Sequence, residues 1–238
     1  MLDFADLRSK CIILLMSSAG LRRGGIPGLR VGDLKKMEKY GLYKISVYKK
    51  EREAYVTYCT PECTQHLTKY FEWRALQGEK LTPKSPVIRN EFHDSIEAEK
   101  ARPLAPDTIS WLMNNLLDRS GIRPRSAIRL QRTETMECHA HRKYFETTVK
   151  TAGMDTLYLK RLMGQNTGLE ESYFKPTEDQ ILEGNDRMIG YVGAIDELTI
   201  NEENRQRIKV KELEVKHTEE WELLREEITE LKKRFGKQ

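Results

Sequence analysis

The sequence predicts a mainly helical α+β protein with a small antiparallel sheet and a separate C-terminal helix, and three observations lead there. Apolar residues recur at helical spacing over several long stretches. Residues 42–59 instead carry two β-rich runs around a charged centre. From about Asn201 the chain is charged throughout, and its apolar residues fall 3, 4, 3 and 4 apart.

The elements follow in order. Phe4, Leu7, Cys11, Leu14 and Leu15 mark a first helix that Gly20 stops. Leu42 to Tyr48 and Ala54 to Cys59 form a hairpin around Lys49-Lys50-Glu51-Arg52-Glu53. Thr60 caps and Pro61 opens a helix to about Leu76, because proline at the first helical position forfeits no needed hydrogen bond. Residues 78–106, with four prolines, read as irregular connection with one short strand at Val87-Ile88. Pro106 starts a helix with Ile109, Leu112, Met113 and Leu116 on its apolar face, and further helices span 139–151 and 156–163. In the tail, Trp221, Leu224, Ile228, Leu231 and Phe235 form a coiled-coil seam. Glu214 and His217 hold the preceding seam positions. The expected division is 1–200 for the main domain and 201–238 for the charged helix.

Bulk properties narrow the class. Mean hydropathy is -0.67 and 33% of residues are charged, so no run suits a bilayer span and no cleavable signal opens the chain. A cytoplasmic protein is expected, nucleoid-associated if prokaryotic or viral. Four cysteines at irregular positions argue for reduced thiols. Cys59, Cys63 and His66 lack a fourth zinc ligand, and no metal or other cofactor is expected. Residues 1–178 carry 30 Lys+Arg against 22 Asp+Glu, whereas 179–238 carry 11 against 15. A basic body suits a polyanion partner. Arg119, Arg123, Arg125, Arg129 and Arg132 follow one another with no acid between them, which suits phosphate contacts.

Four separated segments then line up. They are Ser18-Ala19-Gly20-Leu21-Arg22 followed by Pro27-Gly28-Leu29-Arg30; the charged hairpin; His139-Ala140-His141-Arg142; and Leu162-Met163-Gly164-Gln165 followed by Tyr173. Their order and spacing resemble the active-site boxes of the tyrosine recombinase (integrase) family, most closely its archaeal-type members. The resemblance covers roughly residues 2–198 and implies the family's catalytic-domain fold. It implies a catalytic set of Arg22, Lys49 (or Lys50), His139, Arg142, Gln165 and Tyr173, with His141 structural. Lys50, Arg52, Arg123, Arg125, Arg129 and Arg132 are the expected DNA contacts.

The chemistry of phosphodiester cleavage explains this set. Two guanidiniums suit the non-bridging oxygens, on which the transition state gathers charge. A tyrosine hydroxyl is the nucleophile, with His139 to take its proton and a lysine to protonate the leaving 5′ oxygen. Two positions depart from the pattern. Gln165 stands where many relatives have histidine, and Gly25 where an acid often supports the first arginine. The amino-terminal core-binding domain of the family is also not in this sequence, so a catalytic domain alone is expected.

The expected function is site-specific recombination or integration through a 3′-phosphotyrosyl link, on double-stranded DNA carrying specific sites, by a homo-oligomer assembled on that DNA. The alternatives are a topoisomerase-like nicking and closing enzyme, and a DNA-binding accessory factor with weakened chemistry. Tyr173 as a packing aromatic, with Tyr158 as the nucleophile, is the rival assignment within the site.

Overall fold

The computed structural model describes residues 1–49, 51–92, 102–122, 137–166, 168, 173, 175–185, 187–200, 217, 221 and 225. They fall in two units, Met1–Thr199 and Ile200–Gln238.

Helix α1 (Leu7–Ala19) begins where the Asp6 side chain accepts from Ser9 N at 2.7 Å and ends at Gly20, in the left-handed region with φ 63. It is buried on nearly every side, which marks a central helix rather than an amphipathic surface one. Near its end, Ser17 and Ser18 close their hydroxyls on the carbonyls of Ile13 and Leu14 at 2.8 and 2.7 Å, so their burial leaves no orphan donor. Phe4 is not part of the stripe. It sits 48% exposed in a separate 3-10 turn, Leu2–Phe4, because the Asp6 cap starts the helix after it.

The sheet has the predicted hairpin and one strand more. Strands β1 (Leu34–Met37), β2 (Leu42–Val47) and β3 (Tyr55–Cys59) pair antiparallel in that order. Leu34 lies opposite Ile45, and Val47 opposite Tyr55. Four residues with Lys35-Lys36 at the centre carry no β signature, so β1 exists through its pairing with β2. The sheet is apolar on both faces. Ile45, Val47 and Cys59 join one core with α1, α2 (Pro61–Leu76) and α3 (Pro106–Arg119). Leu42 and Tyr58 join a second core with α4 (Glu137–Thr151), α5 (Thr156–Leu162), α6 (Glu178–Glu183) and α7 (Ile195–Leu198). A two-stranded ribbon, β4 (Gly184–Asn185) and β5 (Met188–Ile189), follows α6.

Caps match the local signals. Thr60 accepts from Cys63 N at 3.3 Å ahead of Pro61, and Ile109, Leu112, Met113 and Leu116 are the buried face of α3. Val87 and Ile88 are buried but form no strand. Isolated bridges Arg30–Pro86 and Arg89–Pro103 hold this stretch instead. Beneath it, Arg74 donates to Glu79 and to the carbonyls of Pro86 and Val87 at 2.8 and 3.0 Å, and Arg89 reaches the same carboxylate at 2.6 Å. Burial alone would raise the Glu79 carboxyl. Hydrogen bonds from the two arginines outweigh it and hold the group below its ordinary range.

In the second unit, Trp221 Nε1 donates to His217 Nε2 one helical turn away at 3.1 Å, and Trp221 is 55% exposed. The other predicted seam residues, Leu224, Ile228, Leu231 and Phe235, lie outside the described residues, so the coiled coil stays an expectation from sequence. Among the described residues no helix is long and apolar enough to cross a membrane.

Two predictions follow from this packing. A Cβ on Gly20 would overlap the Phe145 ring, whereas one on Gly121, also left-handed at φ +70, would meet nothing within 4 Å. Gly20→Ala is therefore expected to cost about 2–5 kcal/mol in urea unfolding, from left-handed strain plus overpacking, against about 1–2 for Gly121→Ala. The second concerns His141, whose imidazole burial pulls down to about 4. Because the unfolded side chain titrates near 6.5, the unfolded state takes up the proton first. Stability is present above about pH 6.5 and is lost as pH falls toward 4, by on the order of 2–3 kcal/mol. In His141→Gln that segment of the pH–stability curve is expected to flatten.

Candidate active site

Two left-handed glycines place Arg22 and Arg142. At the end of α1, Gly20 turns the chain so that its carbonyl faces α4, where Phe145 covers its Cα. Three residues earlier on the same helix, Arg142 donates from Nη1 to that carbonyl and from Nη2 to Met163 O at 2.7 Å. At the end of α5, Gly164 is left-handed at φ +57 under the ring of Tyr55, and its carbonyl accepts from Arg22 Nη2 at 3.2 Å. Arg142 thus ties the α1 end to the α5 end, and Arg22 makes the same tie from the other side.

This answers what orients Arg22 in the absence of an acid at position 25. The Gly164 carbonyl is its anchor, and the space beside Gly25 is filled by Tyr48, whose hydroxyl would lie 3.4 Å from a Cβ there. Tyr48 takes a left-handed conformation, φ 53, to reach that place. It packs on Tyr55 with ring centroids 6.2 Å apart.

Neither Arg22 nor Arg142 has an ion pair with a carboxylate among the described residues. Arg142 is 7% exposed. Burial lowers its pKa from the ordinary arginine value, and the charge of Arg22 lowers it further, against a smaller opposing pull from Tyr55. Glu146 acts on Arg142 only at longer range, so the two guanidiniums give this place a net positive field. Arg22 lines a cleft of about 650 Å³ together with Arg52, Tyr55, Arg161, Gln165 and Asn166, with Glu53 its one acid among the described residues.

The structure brings together Arg22, Arg142 and Gln165, and it adds Arg52 from the hairpin loop. Among the described residues, Gln165 Nε2 has the distant Met163 Sδ, at 3.9 Å, as its partner. It does not bring in the others. Lys49 lies beyond β2, which ends at Val47, and the left-handed Tyr48 breaks the strand's alternation before it. Lys49 is 61% exposed and pairs with Asp33 at 3.7 Å. His139 is exposed on α4, one turn before Arg142. Tyr173 is helical, 89% exposed, and makes no hydrogen bond with a described residue. Tyr158, the rival nucleophile, is buried at 3% exposure in the second core. Lys50, Arg123, Arg125, Arg129 and Arg132 lie outside the described residues.

Sequence reasoning missed Arg161 and Tyr55. Arg161 is in the last turn of α5, and only the left-handed Gly164 beyond that helix brings Gln165 to the same cleft. Tyr55 carried no signal beyond its place in a β-rich run.

Solved structures with this arrangement of elements were found. XerA recombinase superposes with a TM-score of 0.52 at 17% identity, covering 73% of this chain and 55% of its own. The integrase from mycobacterium phage Brujita gives 0.52 at 16%, covering 83% and 54%. XerH site-specific recombinase bound to difH substrate, in a pre-cleavage complex, gives 0.50 at 17%, covering 70% and 42%. The fold is that of the tyrosine recombinases. The chain spans about half the length of these proteins. No family model and no curated protein matches the sequence.

Within this recombinase fold, Arg142 is a structural tie as well as a charge. Arg142→Lys keeps the charge but cannot span both carbonyls, and is expected to cost about 1–3 kcal/mol in urea unfolding. Arg22→Lys, losing one longer bond at a half-buried site, is expected to cost less than half as much.

Proposed function

We propose that this chain is the catalytic domain of a site-specific DNA recombinase or integrase that cleaves and rejoins strands through Tyr173. The single observation that carries the reading is the pair of guanidiniums, Arg22 and Arg142, fixed on backbone carbonyls and lacking a carboxylate partner among the described residues, beside an open basic cleft. A backbone phosphate completes such a site. The guanidiniums hold its non-bridging oxygens and meet the charge that gathers there, without reorganising during the reaction.

Tyr173 Oη attacks phosphorus and the P–O5′ bond breaks, leaving a 3′-phosphotyrosyl link and a 5′ hydroxyl. His139, on the helix that carries Arg142, receives the phenolic proton. Lys49 gives one to the leaving oxygen after exchanging Asp33 for DNA. Gln165 donates to a phosphate oxygen in the place of histidine. The covalent link conserves the bond energy, so the 5′ hydroxyl of another strand reverses the step without metal or nucleotide. Exposed Tyr173 reaches the cleft once DNA lies in it. Arg52, in the cleft, and the arginines at 123, 125, 129 and 132 contact the DNA backbone. The box residues are closest to archaeal-type integrases. The tail from 201 joins protomers on paired sites through its apolar seam, raising their local concentration.

The test is covalent capture. Wild-type protein incubated with nicked suicide duplexes from a randomised pool is expected to form an adduct stable to denaturation. Tyr173→Phe is expected to abolish it while duplex affinity stays within about threefold, since the phosphate-binding charges remain. An adduct in the Phe variant would move the nucleophile elsewhere. No adduct with wild type across the pool would refute strand cleavage.

A further inference from the structure

Tyr55 stands at the start of β3, opposite Val47, and lines the cleft with Arg22 and Gln165. Its ring is clamped between Gly164 and Tyr48. Its hydroxyl is buried yet has no well-formed hydrogen bond. The groups that act on it are Arg142, Tyr48 and Arg22, in that order, and Arg142 also approaches the phenolic oxygen as a donor, outside good hydrogen-bond geometry. A guanidinium has donors and no acceptor, so the phenolic oxygen can face these cations but the phenolic proton has nowhere to go. A buried O–H without an acceptor costs on the order of 1–3 kcal/mol, and such a group persists where something else supplies the partner. Burial raises this phenol above its ordinary value, with the two arginines pulling the other way, so at neutral pH it is a donor.

We propose that Tyr55 is a third phosphate-binding donor of the site, its O–H directed at a non-bridging oxygen of the phosphate held between Arg22 and Arg142. The assignment rests on the phosphodiester reading above. No bond of the phosphate is made or broken by it. The proton stays on Tyr55 and the hydrogen bond shortens as charge gathers on the oxygen, so its effect falls on the rate of cleavage more than on binding. Donation to an anion also explains why the hydroxyl is tolerated: phenylalanine would fill the same space with no orphan group.

Tyr55→Phe separates this role from a packing role, because the two predict opposite pairings of stability and rate. The expected result is a urea midpoint equal to or above wild type, together with single-turnover adduct formation slowed about 10- to 100-fold, the range for one donor to a charged group. Substrates carrying a methylphosphonate at the scissile position, separated into their two diastereomers, locate the contact. The penalty of Tyr55→Phe is expected to vanish on the diastereomer that lacks the oxygen it serves and to persist on the other. Adduct formation at the wild-type rate, or the same penalty on both diastereomers, would overturn the proposal.

Inorganic phosphate provides a readout independent of strand cleavage. It is expected to shift the Tyr55 ring resonances in NMR titration of the wild-type chain and to bind Tyr55→Phe at least threefold more weakly. Unchanged phosphate affinity would overturn the assignment. Absence of any adduct with wild type would refute strand cleavage, with the phosphate titration still deciding Tyr55.

Discussion

The guanidinium of Arg142 is the interaction on which the rest of the unit Met1–Thr199 depends. It sits on α4 yet bonds the carbonyl of Gly20 at the end of α1 and that of Met163 at the end of α5, so three segments far apart in sequence meet at one planar group. Only a forked donor does this, and only if both carbonyls are turned outward from their helices. The left-handed glycines at 20 and 164 meet that condition, and aromatic rings over each exclude any side chain there. Tyr191 adds a tie of the same kind, donating to Ser18 O at 2.8 Å and so pinning the chain before α7 to α1.

The same arrangement creates the chemical potential of the site. Holding Arg142 and Arg22 close together, with no paired carboxylate among the described residues, costs folding energy through burial and through repulsion between like charges. The two apolar cores on either face of the sheet offset it. Elsewhere the fold neutralises buried cations with care, as where Arg74 and Arg89 share Glu79. The contrast is informative: among the described residues, one pair of arginines shares an acid and the other pair is in ion-pair contact with none. The hydroxyl of Tyr55 lies with the second pair, buried and without a well-formed hydrogen bond among the described residues.

The hairpin shows how local geometry re-assigns roles. The turn 48–54 has no glycine, and Tyr48 takes the left-handed conformation itself. That rotates Lys49 away from the face it would share with Val47, toward Asp33, while Arg52 from the far side of the turn enters the cleft. Strand parity does not survive a residue that leaves the strand.

Much was legible because it depends on neighbours in sequence. Gly20 ends α1, Thr60 and Pro61 open α2, the apolar face of α3 repeats at helical spacing, and charge asymmetry separates body from tail. Each is a matter of backbone sterics, capping or periodicity within a few residues. The order of the four boxes pointed to the fold that the chain adopts. What the sequence by itself determined is therefore the class of fold and the inventory of reactive side chains. Tertiary structure alone decided which of them meet. The strand at Leu34–Met37 exists through pairing, and Arg22 is oriented by a carbonyl 142 residues away. Tyr55 comes to face two guanidiniums because β3 runs beside the ends of α1 and α5. Those outcomes rest on contacts between distant segments, and the pattern of residues along a chain does not encode the distances between them until the core has closed.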